Sequence, residues 1–202
     1  LRSADASTPH AAATGNPANS LYISDNNGVS NNYSGATSVV QAYRDITFPT
    51  STNPFNLQFD WKGNAESCCD YIRVWIVPTT ATITAGTQIS TANVPGAVQL
   101  GGNLNLQTGW VSPNFALAAA TYSGTTKRLV FEWKSDGSVY NQTPGAIDNV
   151  NLTVLTCPYP SLGVTTGSTL TTATIAWSEN GSATNWDIEY GLTGFTPTGV
   201  PT

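Results

Sequence analysis

Asp25-Asn26-Asn27 and, far along the chain, Asp148-Asn149 carry the carboxylate and amide oxygens that a hard cation takes from loops. Asp25, Asn27 and Asp148 are therefore candidate ligands for calcium, with Asp60, Glu66 and Asp70 as an alternative cluster around residues 62–69. A plainer reading stands beside this one: Asp25-Asn26-Asn27-Gly28 is a turn, and Asp148 accepts from local backbone N–H groups. No EF-hand loop pattern decides between them.

Acid–base chemistry finds less to work with. The single His, His10, lies in a Pro-bearing tail, so a His-based serine or cysteine triad has no support. Paired carboxylates serve glycoside hydrolysis, but nothing in the spacing sets two of them at the required separation. We expect no catalytic residues. Carbohydrate recognition instead needs aromatic surface beside polar groups, and four residues are candidates: Arg73, Trp75, Trp110 and Tyr140. Arg73 and Trp75 point away from Ile72 and Val74, Trp110 follows a glycine in a loop-like stretch, and Tyr140 precedes Asn141-Gln142. Packing is the competing use for each. Cys68, Cys69 and Cys157 are the disulfide candidates: the first two can bond each other, or one of them can bond Cys157. Metal-ligand spacing is missing, which disfavours zinc.

The elements that position these residues read as strands. In Asn56–Val77, Leu57, Phe59 and Trp61 alternate, and after a short polar break Ile72, Val74 and Ile76 alternate again. This predicts an antiparallel pair with one buried face. KRLVFEWKSD is the clearest strand, placing Leu129, Phe131 and Trp133 on one side, matched for packing across a sandwich against Leu57, Phe59 and Trp61. Trp61 and Trp133 are thus expected in the core. Further strands are expected at 20–24, 38–46, 98–100, 109–111, 114–117 and 146–155, separated by Gly, Asn and Pro turn signals. Such short strands in series predict an all-β, two-sheet sandwich of jelly-roll type. In that fold the first and last strands commonly lie close, which would bring Asp25 toward Asp148.

Composition agrees. Charged residues are 9% of the 202, against roughly 25% in ordinary soluble domains. Thr, Ser, Asn and Gly carry the polarity, as in extracellular β proteins. A net charge of −5 leaves no basic stripe for nucleic acid. No apolar run approaches the ~20 residues that span a bilayer. The chain contains no Met and no signal peptide, and we expect it to be a processed product or fragment. Residues 1–18 read as a linker. Cys157-Pro158-Tyr159-Pro160 marks a stiff hinge between a domain at 19–156 and a second unit at 157–202, with strands expected at 173–177 and 186–190.

The second unit resembles the first half of a fibronectin type III domain, through its Pro-rich entry, TATIAW with Trp177, and NWDIEYG. The first resembles jelly-roll adhesin modules of bacterial surface proteins, relatives of MAM and cleaved-adhesin domains. The likeness is carried by AYRDITFP (42–49), FNLQFDWKGNAES (55–67), DYIRVWIVP (70–78), QLGGNLNLQTGW (99–110), KRLVFEWKSDGS (127–138) and AIDNVNLTV (146–154). The resemblance implies export by the type IX secretion route, a secreted or cell-surface location, and calcium held by an early acidic residue with the Asp of AIDNV. The expected role is non-catalytic adhesion toward a glycan or protein ligand, alongside further domains of the same polypeptide. Two alternatives are a carbohydrate-binding module of a secreted enzyme and a filament subunit that self-assembles by strand exchange.

Overall fold

The computed structural model describes residues 2–3, 20–156, 160–163, 167, 169–181, 183–192, 194–196 and 198. The expectations for the 1–18 linker and for Cys157 lie almost wholly outside the described residues. The fold is all-β, with two antiparallel sheets packed face to face. The strands are β1 (Arg2–Ser3), β2 (Leu21–Tyr22), β3 (Ser38–Thr47), β4 (Phe55–Gly63), β5 (Tyr71–Pro78), β6 (Val98–Leu104), β7 (Gln107–Val111), β8 (Asn114–Leu117), β9 (Thr126–Ser135), β10 (Ala146–Val154), β11 (Ser161–Leu162) and β12 (Trp177–Ser178). A single helical turn, α1 (Ala119–Tyr122), interrupts them. One sheet has six strands in the order β1-β2-β10-β4-β7, with β8 also on β4. The other has four, β3-β9-β5-β6. β11 and β12 form a separate pair.

Period-two alternation builds the core. From β4 come Phe55, Leu57, Phe59 and Trp61; from β9, Leu129, Phe131 and Trp133; from β5, Ile72, Val74 and Ile76. Phe59 meets Phe131 edge-on at 5.2 Å and stacks on Phe115 at 5.7 Å. So β4 and β9 face each other across the sandwich, as their matched aromatic triplets suggest.

The expected pairing of β4 with β5 does not form. β4 bonds β10, β7 and β8, whereas β5 bonds β9 and β6 in the opposite sheet. Residues 64–70 carry the chain from one sheet to the other, so both apolar faces turn inward onto a shared core. Nor does β5 have only one buried face. Trp75 and Val77, with Val130 of β9, lie under Ile89, Val94 and Ala97 of the segment that follows β5. Glu132 ties that segment down: its fully buried carboxylate accepts from Ile89 N–H at 2.7 Å and Gln41 Nε2 at 3.0 Å.

Past residue 154, no described residue joins either core cluster. The strand expected at 173–177 reduces to Trp177–Ser178, and 186–190 is not in strand. Ile175, Trp186, Ile188, Tyr190 and Phe195 stand exposed there, although Trp186 meets Trp177 edge-on at 5.6 Å.

Candidate functional site

The outer face of the six-stranded sheet is polar because β4 alternates. With Leu57, Phe59 and Trp61 inward, Asn56, Gln58, Asp60 and Lys62 project outward. Register extends this into rungs. Asn151 of β10 and Asn114 of β8 flank Gln58, while Thr153 and Ala116 flank Asn56. Asn56 Nδ2 donates to Asn114 Oδ1 at 3.1 Å. At the β7 end, the Lys62 ammonium lies 5.2 Å from the centre of the half-buried Trp110 ring.

Asp148 stands directly opposite Asp60 in this sheet. Two like charges facing each other across strands repel, and the local structure answers with donors. Asn149, at a positive φ of 49° beside an irregularity in the β10 register, gives its Nδ2 to Asp60 Oδ2 at 2.7 Å. Ser112 Oγ donates to the other oxygen of Asp60, and Asp148 Oδ1 accepts from Asn149 N–H at 2.7 Å.

The proposed trio of Asp25, Asn27 and Asp148 is not brought together. β2 does lie beside β10, but Tyr22 faces Ala146 and Leu21 faces Ile147. Residues after Tyr22 therefore run toward Gly145, while Asp148 lies the other way. Asp25 and Asn27 are exposed in a turn organised by Asn26, whose Oδ1 accepts from Val29 N–H and Ser30 N–H, each at 3.1 Å.

A tighter acidic cluster sits where residues 64–70 meet the end of β9. Carboxylate oxygens of Glu66, Asp70 and Asp136 all lie within 4.8 Å of one another. Asp70 is fully buried, accepting from Tyr33 Oη at 2.8 Å and Asp136 N–H at 2.9 Å. Burial first, then the hydrogen bond to Asp70, pushes the Tyr33 hydroxyl well above its ordinary range. Asp136 is held below the usual carboxylate range by the Ser138 backbone N–H, then by the Ser138 hydroxyl. Glu66 Oε2 is buried with no hydrogen-bond partner among the described residues. This is a donor set suited to a hard cation. It uses Glu66 and Asp70 of the alternative sequence cluster but exchanges Asp60 for Asp136. Cys68 and Cys69 close a disulfide within this loop, so their sulfurs are not thiolate ligands.

The ligand candidates fall on three surfaces. Trp75 is 4% exposed beneath residues 79–97, so its ring packs against that cover and presents no surface to a ligand. Arg73 lies on the same sheet face but beyond that cover, its Nε donating to Asn103 Oδ1 at 2.8 Å. Tyr140, in the β9–β10 connection, is exposed and edge-on to Tyr33 at 6.3 Å. Trp110 alone joins the polar face of the six-stranded sheet. No helix among the described residues is long and apolar enough to cross a membrane. No family model matches this chain, and a search of curated proteins found none that matches it.

Proposed function

We propose that the chain is a non-catalytic recognition module of a secreted or cell-surface protein, and that it takes a glycan on the outer face of the six-stranded sheet. The observation that carries this reading is the row of Asn56, Gln58, Asn114 and Asn151 amides on a sheet face that also carries, beyond Asp60, Lys62 against Trp110. Amides offer donors and acceptors together, as sugar hydroxyls require. An indole supplies the apolar surface on which the C–H face of a pyranose packs. A carbohydrate-binding module serving an attached enzyme uses the same geometry. The deciding test is affinity electrophoresis against neutral polysaccharides with wild type, Trp110→Ala and Gln58→Ala. Loss of about tenfold or more in affinity, with unchanged melting, supports the reading. Retention in both variants, or no binding by wild type, rejects it.

The calcium belongs to the same reading, with Glu66, Asp70 and Asp136 as its ligands. The unpartnered Glu66 oxygen supports that assignment over Asp25, Asn27 and Asp148. The exposed apolar side chains at 175–195 fit a second module completed by further strands of the same polypeptide. Completion by a neighbouring copy, as in a filament, would instead give concentration-dependent assembly without ligand.

A further inference from the structure

The outer face of the four-stranded sheet is covered by residues 79–97 at one end. Beyond Trp75, Tyr71, Arg73 and Lys134 share the outward phase of β5 and β9, with the buried Tyr71 facing Lys134 across the pair and Arg73 and Lys134 half-buried beside it. Both cations lie against one ring: Arg73 Cζ is 4.7 Å and Lys134 Nζ 5.5 Å from the Tyr71 centroid. Neither makes an ion pair with a described carboxylate. Glu132 faces Arg73 across the strands but turns its carboxylate to the far side of β9, to Ile89 N–H and Gln41. Asp136, of the acidic cluster, gives one oxygen (Oδ1) to Ser138 and also feels the Lys134 charge. The remaining contacts are neutral: Asn103 Oδ1 on Arg73, Gln88 Nε2 on the Tyr71 hydroxyl at 3.0 Å, and the Cys69 carbonyl on Lys134 Nζ at 2.9 Å.

Arg73 and Lys134 are two half-buried cations with no ion-pair partner among the described residues, on a chain of net charge −5. We propose that Arg73 and Lys134 bind the oxyanion, carboxylate or sulfate, of an acidic sugar residue. Amides at Asn103 and Gln88 border the pair, as sugar hydroxyls would require. Nucleic acid would need a basic stripe, and the chain has only 7 Lys and Arg in all. Guanidinium and ammonium groups give charge-assisted hydrogen bonds that a neutral ester cannot draw. This site is on the sheet opposite Trp110 and stands or falls separately from that face.

The experiment is calorimetric titration of the full chain with oligogalacturonate, its methyl ester, a sulfated galactan oligosaccharide and poly-glutamate. Oligogalacturonate or the sulfated sugar should bind, more weakly as salt rises, and the methyl ester at least tenfold more weakly than the acid. Preference between the two acidic sugars identifies the oxyanion. Arg73→Gln with Lys134→Gln should abolish the difference between acid and ester, Lys134→Arg should retain it, and Trp110→Ala should leave it unchanged. Equal binding of acid and ester overturns the proposal. So does an unaffected double variant that melts like wild type, tighter binding of poly-glutamate, or no binding of either acidic sugar.

Discussion

Glu132→Ala tests whether the segment over β5 is held by one buried carboxylate. The substitution removes the acceptor for Ile89 N–H at 2.7 Å and for Gln41 Nε2 at 3.0 Å. Ile89 is 2% exposed, so water does not reach its N–H without displacing the cover. A hydrogen bond to a charged group is worth about 1.5–3 kcal/mol, and a stranded buried donor costs about 1–3 kcal/mol. Against this, the variant no longer buries a charge, and Glu132 Oε1 had no donor to lose. The balance is a loss of about 2–4 kcal/mol, or roughly 5–15 °C in Tm for a domain of this size. Glu132→Gln keeps an oxygen for Ile89 and should cost about 1 kcal/mol or less. Urea unfolding of both variants gives the ratio, and amide exchange at Ile89 locates it. If Ala is no worse than Gln, or Ile89 exchanges at the wild-type rate, the carboxylate does not hold the segment.

Gly145→Ala places a Cβ against Ile72, within 2.5 Å of Cγ1 and closer still to Cδ1, and should cost about 1–3 kcal/mol by overpacking; Ile72→Val in the same chain should return part of that loss in urea titrations. Arg128 hydrogen-bonds Asp45 and lowers its carboxyl below the ordinary value of 3.8. The resulting stability is present above that value and fades as pH falls through the lower folded value. Asp45→Asn should therefore lower the urea midpoint at pH 7 and have little effect near pH 2; an equal effect at both pH values contradicts this. Calcium at a hundredfold excess over its Kd should stabilise the chain by about 2.7 kcal/mol relative to chelator. Asp136→Asn should remove most of that shift and Asp25→Asn none, as read by differential scanning calorimetry.

Alternation made the residues that β4, β5 and β9 turn to the shared core legible one by one, because a sheet face repeats every second residue. Pairing was not legible in the same way. Identical patterns on β4 and β5 fit one hairpin or two facing sheets equally well, and only the partners β9 and β10, far along the chain, separate the two. Trp75 was misplaced because its cover comes from a Thr-rich segment whose Ile89 and Val94 follow no period. Asp136 escaped notice for a related reason: its nearness to Glu66 and Asp70 is made by the end of β9, with no local spacing to announce it. The opposition of Asp60 and Asp148 follows once β10 is set beside β4, since Ile147 must face Trp61 into the core.

The strand order also governs when the molecule can fold. Apart from β1–β2, β5–β6 and β11–β12, every pairing joins strands that are not consecutive. β3 waits for β9 across Ser38 to Ser135, and β4 waits for β10. Folding dominated by such non-local pairings is slow, on the order of milliseconds to seconds in all-β domains. Until Thr126 and the residues after it are made, β3 has no strand partner and β5 has only β6, so the four-stranded sheet closes long after its first strand exists.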